Sequence, residues 1–278
     1  MKNYFKMVWK AMKMERKEHR SSFWVYLTLR ALVLIVMILQ FLNGNYENVF
    51  LCLLTLFLFI IPSFIQVGFK IELPSTLEII ILLFIFATEI LGEIHAFYVR
   101  IPMWDTVLHT INGFLAAAIG FSLVDILNRH KRLEFNLSPF FMVLVAFCFS
   151  MTIGVVWEFF EYFVDTIFHM DMQKDTIIYT IRSVMLDPSL SNKVVTIDSI
   201  KDVMINGVAL PFNGYIDIGL IDTMMDLIVN FIGAFVFSVF GFFYLKNRGK
   251  RSFVTQFIPR IKDKSKDYLS KLRREAEK

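Results

Sequence analysis

The chain has 278 residues, 56% of them apolar and only 19% charged, which lies above and below the ordinary globular ranges respectively. Phe alone fills 31 positions. A water-soluble domain around one ordinary core is excluded, nothing in the pattern calls for nucleic acid, and the expected fold class is all-α, a polytopic transmembrane helical bundle.

Residues 1–22 hold no apolar run and no recognisable signal peptide; they read as a basic cytoplasmic segment. Phe5, Val8, Trp9 and Met12 share one helical face, the pattern of a helix lying on an anionic inner leaflet. Six stretches then approach the ~20 apolar residues a span requires. They cover residues 23–42, 49–69, 76–93, 105–127, 139–168 and 219–245. The third is the shortest and most polar. Pro62 is expected to kink the second without ending it. Cys52 and Cys148 both fall inside spans, with no metal spacing and no disulfide framework, and are expected to pack as small buried hydrophobes.

Residues 23–168 thus contain spans one to five, and 169–218 form a polar extracytoplasmic segment before span six. Within that segment Asp175 is expected to cap a short amphipathic helix through Met185, and Asn206-Gly207 to turn a hairpin over residues 203–210. Residues 246–278 form a second basic cytoplasmic tail, with Phe253, Phe257 and Ile261 as its apolar face.

Charge sets the orientation. Residues 1–22 carry seven Lys/Arg against two Glu, and residues 246–278 carry twelve against four acids, so the net +4 hides a body at −9. The 128–138 connection adds Arg129, His130, Lys131 and Arg132, whereas residues 43–48 have no basic residue. With six spans both tails and that connection fall on one side, and the positive-inside rule makes it cytoplasmic.

Charged residues inside spans are costly, and here they recur at helical spacing. Asp105, His109 and Asn112 stand at i, i+4 and i+7; Glu158, Glu161 and Asp165 at i, i+3 and i+7; Asp222, Asp226 and Asn230 at i, i+4 and i+8. Glu89 and Glu93 add a pair in the third span. Each set occupies one stripe of its helix. In a six-span topology all four stripes fall in the outer part of the membrane, since one turn is worth ~6 Å of depth. Eight carboxylates there cannot all be ionised without compensation by protons, water or a cation. Carboxylate-rich ligation suits Mg²⁺ or Mn²⁺, while Zn²⁺ would want more nitrogen donors. The bland reading of any one such residue is a hydrogen bond between helices or a water-facing rim.

Three strings carry a family resemblance. Trp104-Asp105-Thr-Val-Leu-His109-Thr-Ile-Asn-Gly113, Trp157-Glu158-Phe-Phe-Glu161, and Asp222-Thr-Met-Met-Asp226-Leu-Ile-Val-Asn230-Phe-Ile-Gly233 appear in the order seen in the YjdF-like bacterial membrane proteins. The last string also resembles, more distantly, VanZ-like proteins, although their second motif reads E-x-x-Q. The resemblance covers about residues 85–240 and implies a multi-pass protein of a bacterial cell membrane, without implying a reaction.

Two classes of function compete. One is a metal-dependent enzyme on a lipid or lipid-linked envelope substrate, with Asp105, Glu158, Asp222 and Asp226 as metal ligands and His109 and Glu161 as catalytic groups. Glu89, Glu93, Asn112, Asp165 and Asn230 would line its pocket. The other is a proton- or cation-coupled transporter using the same acids, or a non-catalytic envelope-binding protein working through 169–218. The absence of an inverted repeat counts against transport.

Overall fold

A computed structural model describes residues 2–18, 20–128, 136–247 and 253–276. The basic cluster Arg129 to Arg132 and the side chain of Phe5 lie outside the described residues. The chain divides into two compact units, Met1–Thr152 with Val229–Lys278, and Ile153–Ile228.

The first unit opens with α1 (Lys2–Glu18) and α2 (Arg20–Leu42). A turn at Gly44 leads to α3 (Tyr46–Leu58), whose first turn is capped by Asn45, the side chain accepting the Asn48 N–H at 3.3 Å. Pro62 does more than kink this span. It has no N–H for the Leu58 carbonyl, and the helix breaks for two residues before resuming as α4 (Ile61–Gly68). Strand β1 (Ile71–Glu72) precedes α5 (Ser75–Phe86), which continues without interruption as a π-helix, Ala87–Ile94. The short α6 (Phe97–Arg100) then leads to α7 (Trp104–Asn128), α8 (Pro139–Phe168) and α9 (Leu220–Lys246).

Among the described residues, five helices are long and apolar enough to cross a membrane: α2, the broken helix Tyr46–Gly68, α7, α8 and α9. The third expected span is not among them, because it is 12 residues of α-helix followed by 8 of π-helix. It nevertheless joins two cores of this unit. Leu77 packs with Leu115, Phe121, Ala234 and Phe237, while Leu82 and Ile90 pack with Tyr26, Val33, Cys52 and Phe59. Cys52 is buried as expected, but Cys148 is exposed on α8. A residue on an apolar span faces outward as readily as inward, so hydropathy alone could not separate the two.

After α9 the chain folds back on the first unit. Strand β8 (Arg260–Ile261) pairs antiparallel with β1, and α10 (Tyr268–Ala276) packs on α1. Lys262 Nζ lies 2.6 Å from Glu15 Oε2, both side chains only 2% exposed, and also donates to the Gln66 carbonyl at 3.3 Å. Lys266 and Lys70 add pairs to Glu72 (2.8 Å) and Asp267 (3.1 Å). The tail is therefore a folded part of this unit over its described residues. Phe257 is buried, while Phe253 and Ile261 remain exposed.

The second unit holds the later half of α8, the start of α9 and the segment between them. That segment contains strand pairs β2 (Thr176–Ile178) with β7 (Tyr215–Asp217), β3 (Ile181–Ser183) with β4 (Val195–Ile197), and β5 (Met204–Ile205) with β6 (Val208–Ala209). The helix expected from Asp175 through Met185 is absent; β2, β3 and a single 3₁₀ turn, Val184–Leu186, take its place. Thr176, Ile177, Ile178 and Ile181 are β-branched and stiff, which favours a pleated backbone over a helix. The expected hairpin is present. Asn206 and Gly207 have φ of 52° and 83°, the two positive values that a tight two-residue turn requires.

Candidate functional site

The stripe on α8 and the stripe on α9 converge within the second unit. One oxygen from each of Glu158, Glu161 and Asp226 lies within 4.8 Å of the others, and all three residues are buried. Helical spacing explains the α8 pair: residues three apart stand on one face, one turn above each other. Trp157, on the same helix, donates its indole N–H to Glu161 Oε1 at 2.8 Å, which fixes one oxygen of that carboxylate. Nothing in the helical spacing of the acids marked Trp157 for this.

The later acids of the same stripes do different work. Asp165 accepts the backbone N–H groups of Met172 (2.6 Å) and Gln173 (2.9 Å), and Asp222 accepts that of Lys174 (2.7 Å). Gln173 Nε2 also reaches Thr223 Oγ1 at 2.5 Å. These two carboxylates clamp residues 172–174 to the ends of α8 and α9. At 30 residues α8 is ~45 Å long, more than the hydrocarbon thickness, so Asp165 near its end has room to bind loop backbone.

In the first unit, His109 is buried and its Nε2 lies 3.5 Å from Asp105 Oδ1, one turn earlier in α7. A carboxylate beside an imidazole orients the ring, the arrangement a general base uses. Asn112 is half-buried one turn further along. Asn230 is 1% exposed and donates to the Ser150 carbonyl at 3.4 Å. Its Oδ1 has no hydrogen-bond partner among the described residues. Ser150 Oγ in turn donates to the Gly113 carbonyl at 2.7 Å.

The family profile described as predicted membrane protein, DUF2238, matches residues 24–247. The chain belongs to the DUF2238 family. The resemblance to YjdF-like proteins is to this same family, and the match extends it from the three motif helices to all the apolar helices. No curated protein and no solved structure matches the chain. Among DUF2238 positions, Glu89 and Glu93 fall in the π-helix, where Glu89 is half-buried and Glu93 exposed. π-Helical turns inside helices are rare and concentrate at functional sites.

Proposed function

We propose that this protein is a cation-dependent enzyme of a bacterial cell membrane, with both termini cytoplasmic, acting on a lipid or lipid-linked envelope substrate. The observation that carries it is the buried carboxylate trio Glu158, Glu161 and Asp226. Three carboxylates within ligating distance of one another, removed from water, repel strongly unless a positive charge offsets them. Their oxygen-only chemistry fits Mg²⁺ or Mn²⁺ better than Zn²⁺. Such an ion supplies Lewis acidity or an activated water. Glu161, steadied by Trp157, is the acid best placed to shift between ligand and proton carrier; His109, oriented by Asp105, is a separate candidate general base in the first unit.

The test is saturable binding of Mn²⁺ to the purified full chain, followed by its paramagnetic resonance signal and competed with Mg²⁺. The expected result is a bound ion displaced by Mg²⁺. Glu161→Gln and Asp226→Asn should each weaken binding by tenfold or more, a loss of at least ~1.4 kcal/mol. Glu93→Gln, on an exposed residue, should leave it unchanged. Absence of saturable Mg²⁺, Mn²⁺ or Zn²⁺ binding would remove the cation, and leave proton sharing among the acids as the way the charge is met.

A further inference from the structure

Of the apolar stripe that the sequence suggested for the first helix, Val8 and Met12 face the protein, while Trp9 is exposed. Val8, Ala11 and Met12 are buried with Val67 of α4 and with Leu269 and Leu272 of α10. The opposite arc of α1 therefore points outward, and it carries Trp9, Lys6, Lys10 and Lys13, all exposed. The last helix repeats the pattern: Leu269 and Leu272 turn inward while Lys271, Arg273 and Arg274 are exposed.

The two helices form one surface. The Arg273 guanidinium sits 4.9 Å from the ring centre of Tyr4, bridging α10 to α1, and Lys13 Nζ lies 5.9 Å from that of Trp9. The tail is held in place beside α1 by the buried Lys262–Glu15 pair. Cations interleaved with exposed aromatic rings are a surface for anions at a membrane interface, where an aromatic ring settles at headgroup depth. Position narrows the partner further. A single residue separates α1 from α2, the first apolar helix able to cross a membrane, so the basic arc cannot stand far from the leaflet that α2 enters.

We propose that α1 and α10 together form a platform for anionic phospholipid headgroups of that leaflet, with phosphates on the lysines and arginines and Trp9 among the headgroups. Both helices lie outside the 24–247 match, so the platform is an addition to the body that defines the family. It holds the protein by charge and not by inserting an apolar face, because that face is already occupied. Each cation removed should lower local affinity for anionic lipid about fivefold, and the effect should fade with salt.

The experiment reconstitutes the full chain in nanodiscs containing brominated phosphatidylglycerol or brominated phosphatidylcholine at equal mole fraction. Quenching that depends on Trp9 is read as the difference between wild type and Trp9→Phe. The expected result is strong quenching by the anionic lipid, several-fold weaker quenching by the zwitterionic one, and loss of the difference at high salt or in Lys6→Gln/Lys10→Gln/Lys13→Gln. Those lysines are exposed, so the triple variant should fold, which its thermal transition checks. Equal quenching by both lipids would show apolar contact in place of charge recognition, and no quenching would show a face turned to water or to a soluble partner. Either result overturns the proposal.

Discussion

At the scale of single residues, the most consequential feature of the first unit is a buried ion pair. Lys262 and Glu15 are taken out of water together, each charge offset by the other, with the Gln66 carbonyl as a further acceptor for Lys262. Removing one partner leaves a buried charge uncompensated, so Glu15→Gln or Lys262→Met should each cost about 3–5 kcal/mol. Replacing both at once by apolar residues should recover most of that loss. A thermal melt followed by a probe on the tail separates the three variants. Asp187, in the segment between α8 and α9, makes a different case, a buried carboxylate held by many donors. The hydroxyl and N–H of Ser189, the hydroxyl and N–H of Ser191, and the N–H of Lys193 all point at it. Those bonds, led by the Ser189 hydroxyl, hold its carboxyl well below the usual carboxylate range. A depressed folded-state value means that the loop's extra stability is full above the ordinary carboxylate range and is lost as pH falls below it. Limited proteolysis of residues 187–193 should therefore be slow at pH 7 and quicken only in strong acid, while Asp187→Ala should be cut readily at pH 7.

At the scale of elements, α7 and α9 approach until their backbones touch. A Cβ added at Gly113 would lie 2.2 Å from the Asn230 carbonyl oxygen, and one at Gly233 would lie 2.0 Å from the Thr110 carbonyl oxygen. Neither neighbour is a side chain that can turn away, so the helices themselves must separate. Gly113→Ala and Gly233→Ala should each destabilise by about 1–3 kcal/mol, whereas Gly68→Ala, with nothing within 4 Å, should be neutral or mildly stabilising. Thermal unfolding in detergent measures all three. The glycines at this crossing, Gly113 and Gly233, were visible in the sequence as parts of the motif strings. The long apolar helices and the Asn206-Gly207 turn were visible too, because hydropathy and turn chemistry are local properties. The trio was half legible. Spacing put Glu158 and Glu161 on one face and Asp226 on the facing stripe, but it could not tell Asp226 from Asp222. That distinction rests on the backbone of residues 172–174, which takes Asp222 and Asp165 for itself, and no periodicity encodes a loop contact. The buried Lys262–Glu15 pair was illegible for a like reason: its partners stand almost a whole chain apart.

At the scale of the whole molecule, the contacts of the tail decide how many times the chain must cross. Length and hydropathy alone select five helices, and five crossings would leave α1 and the tail on opposite faces. Yet Lys262 reaches Glu15, and β8 pairs with β1 in the turn between α4 and α5. Two crossings separate α1 from β1, and α7, α8 and α9 supply three more before β8. An odd number cannot return the chain to the face it left, so a further crossing must lie between Glu72 and Trp104. The only continuous helix there long enough is α5 with its π-helical extension, Ser75–Ile94. The change from α- to π-helix at Ala87 divides it into 12 and 8 residues, each too short to span alone, and its packing against both cores of the first unit covers what lipid would otherwise meet. Single cysteines at Lys70, exposed ahead of β1, and at Val99, exposed on α6, flank that helix and turn the crossing into a measurement. With a membrane-impermeant maleimide, one site should label in intact cells and the other only after permeabilisation. If both label under the same condition, Ser75–Ile94 does not cross, and α7, with Asp105 and His109 in its first turns, starts from the face that α1 occupies.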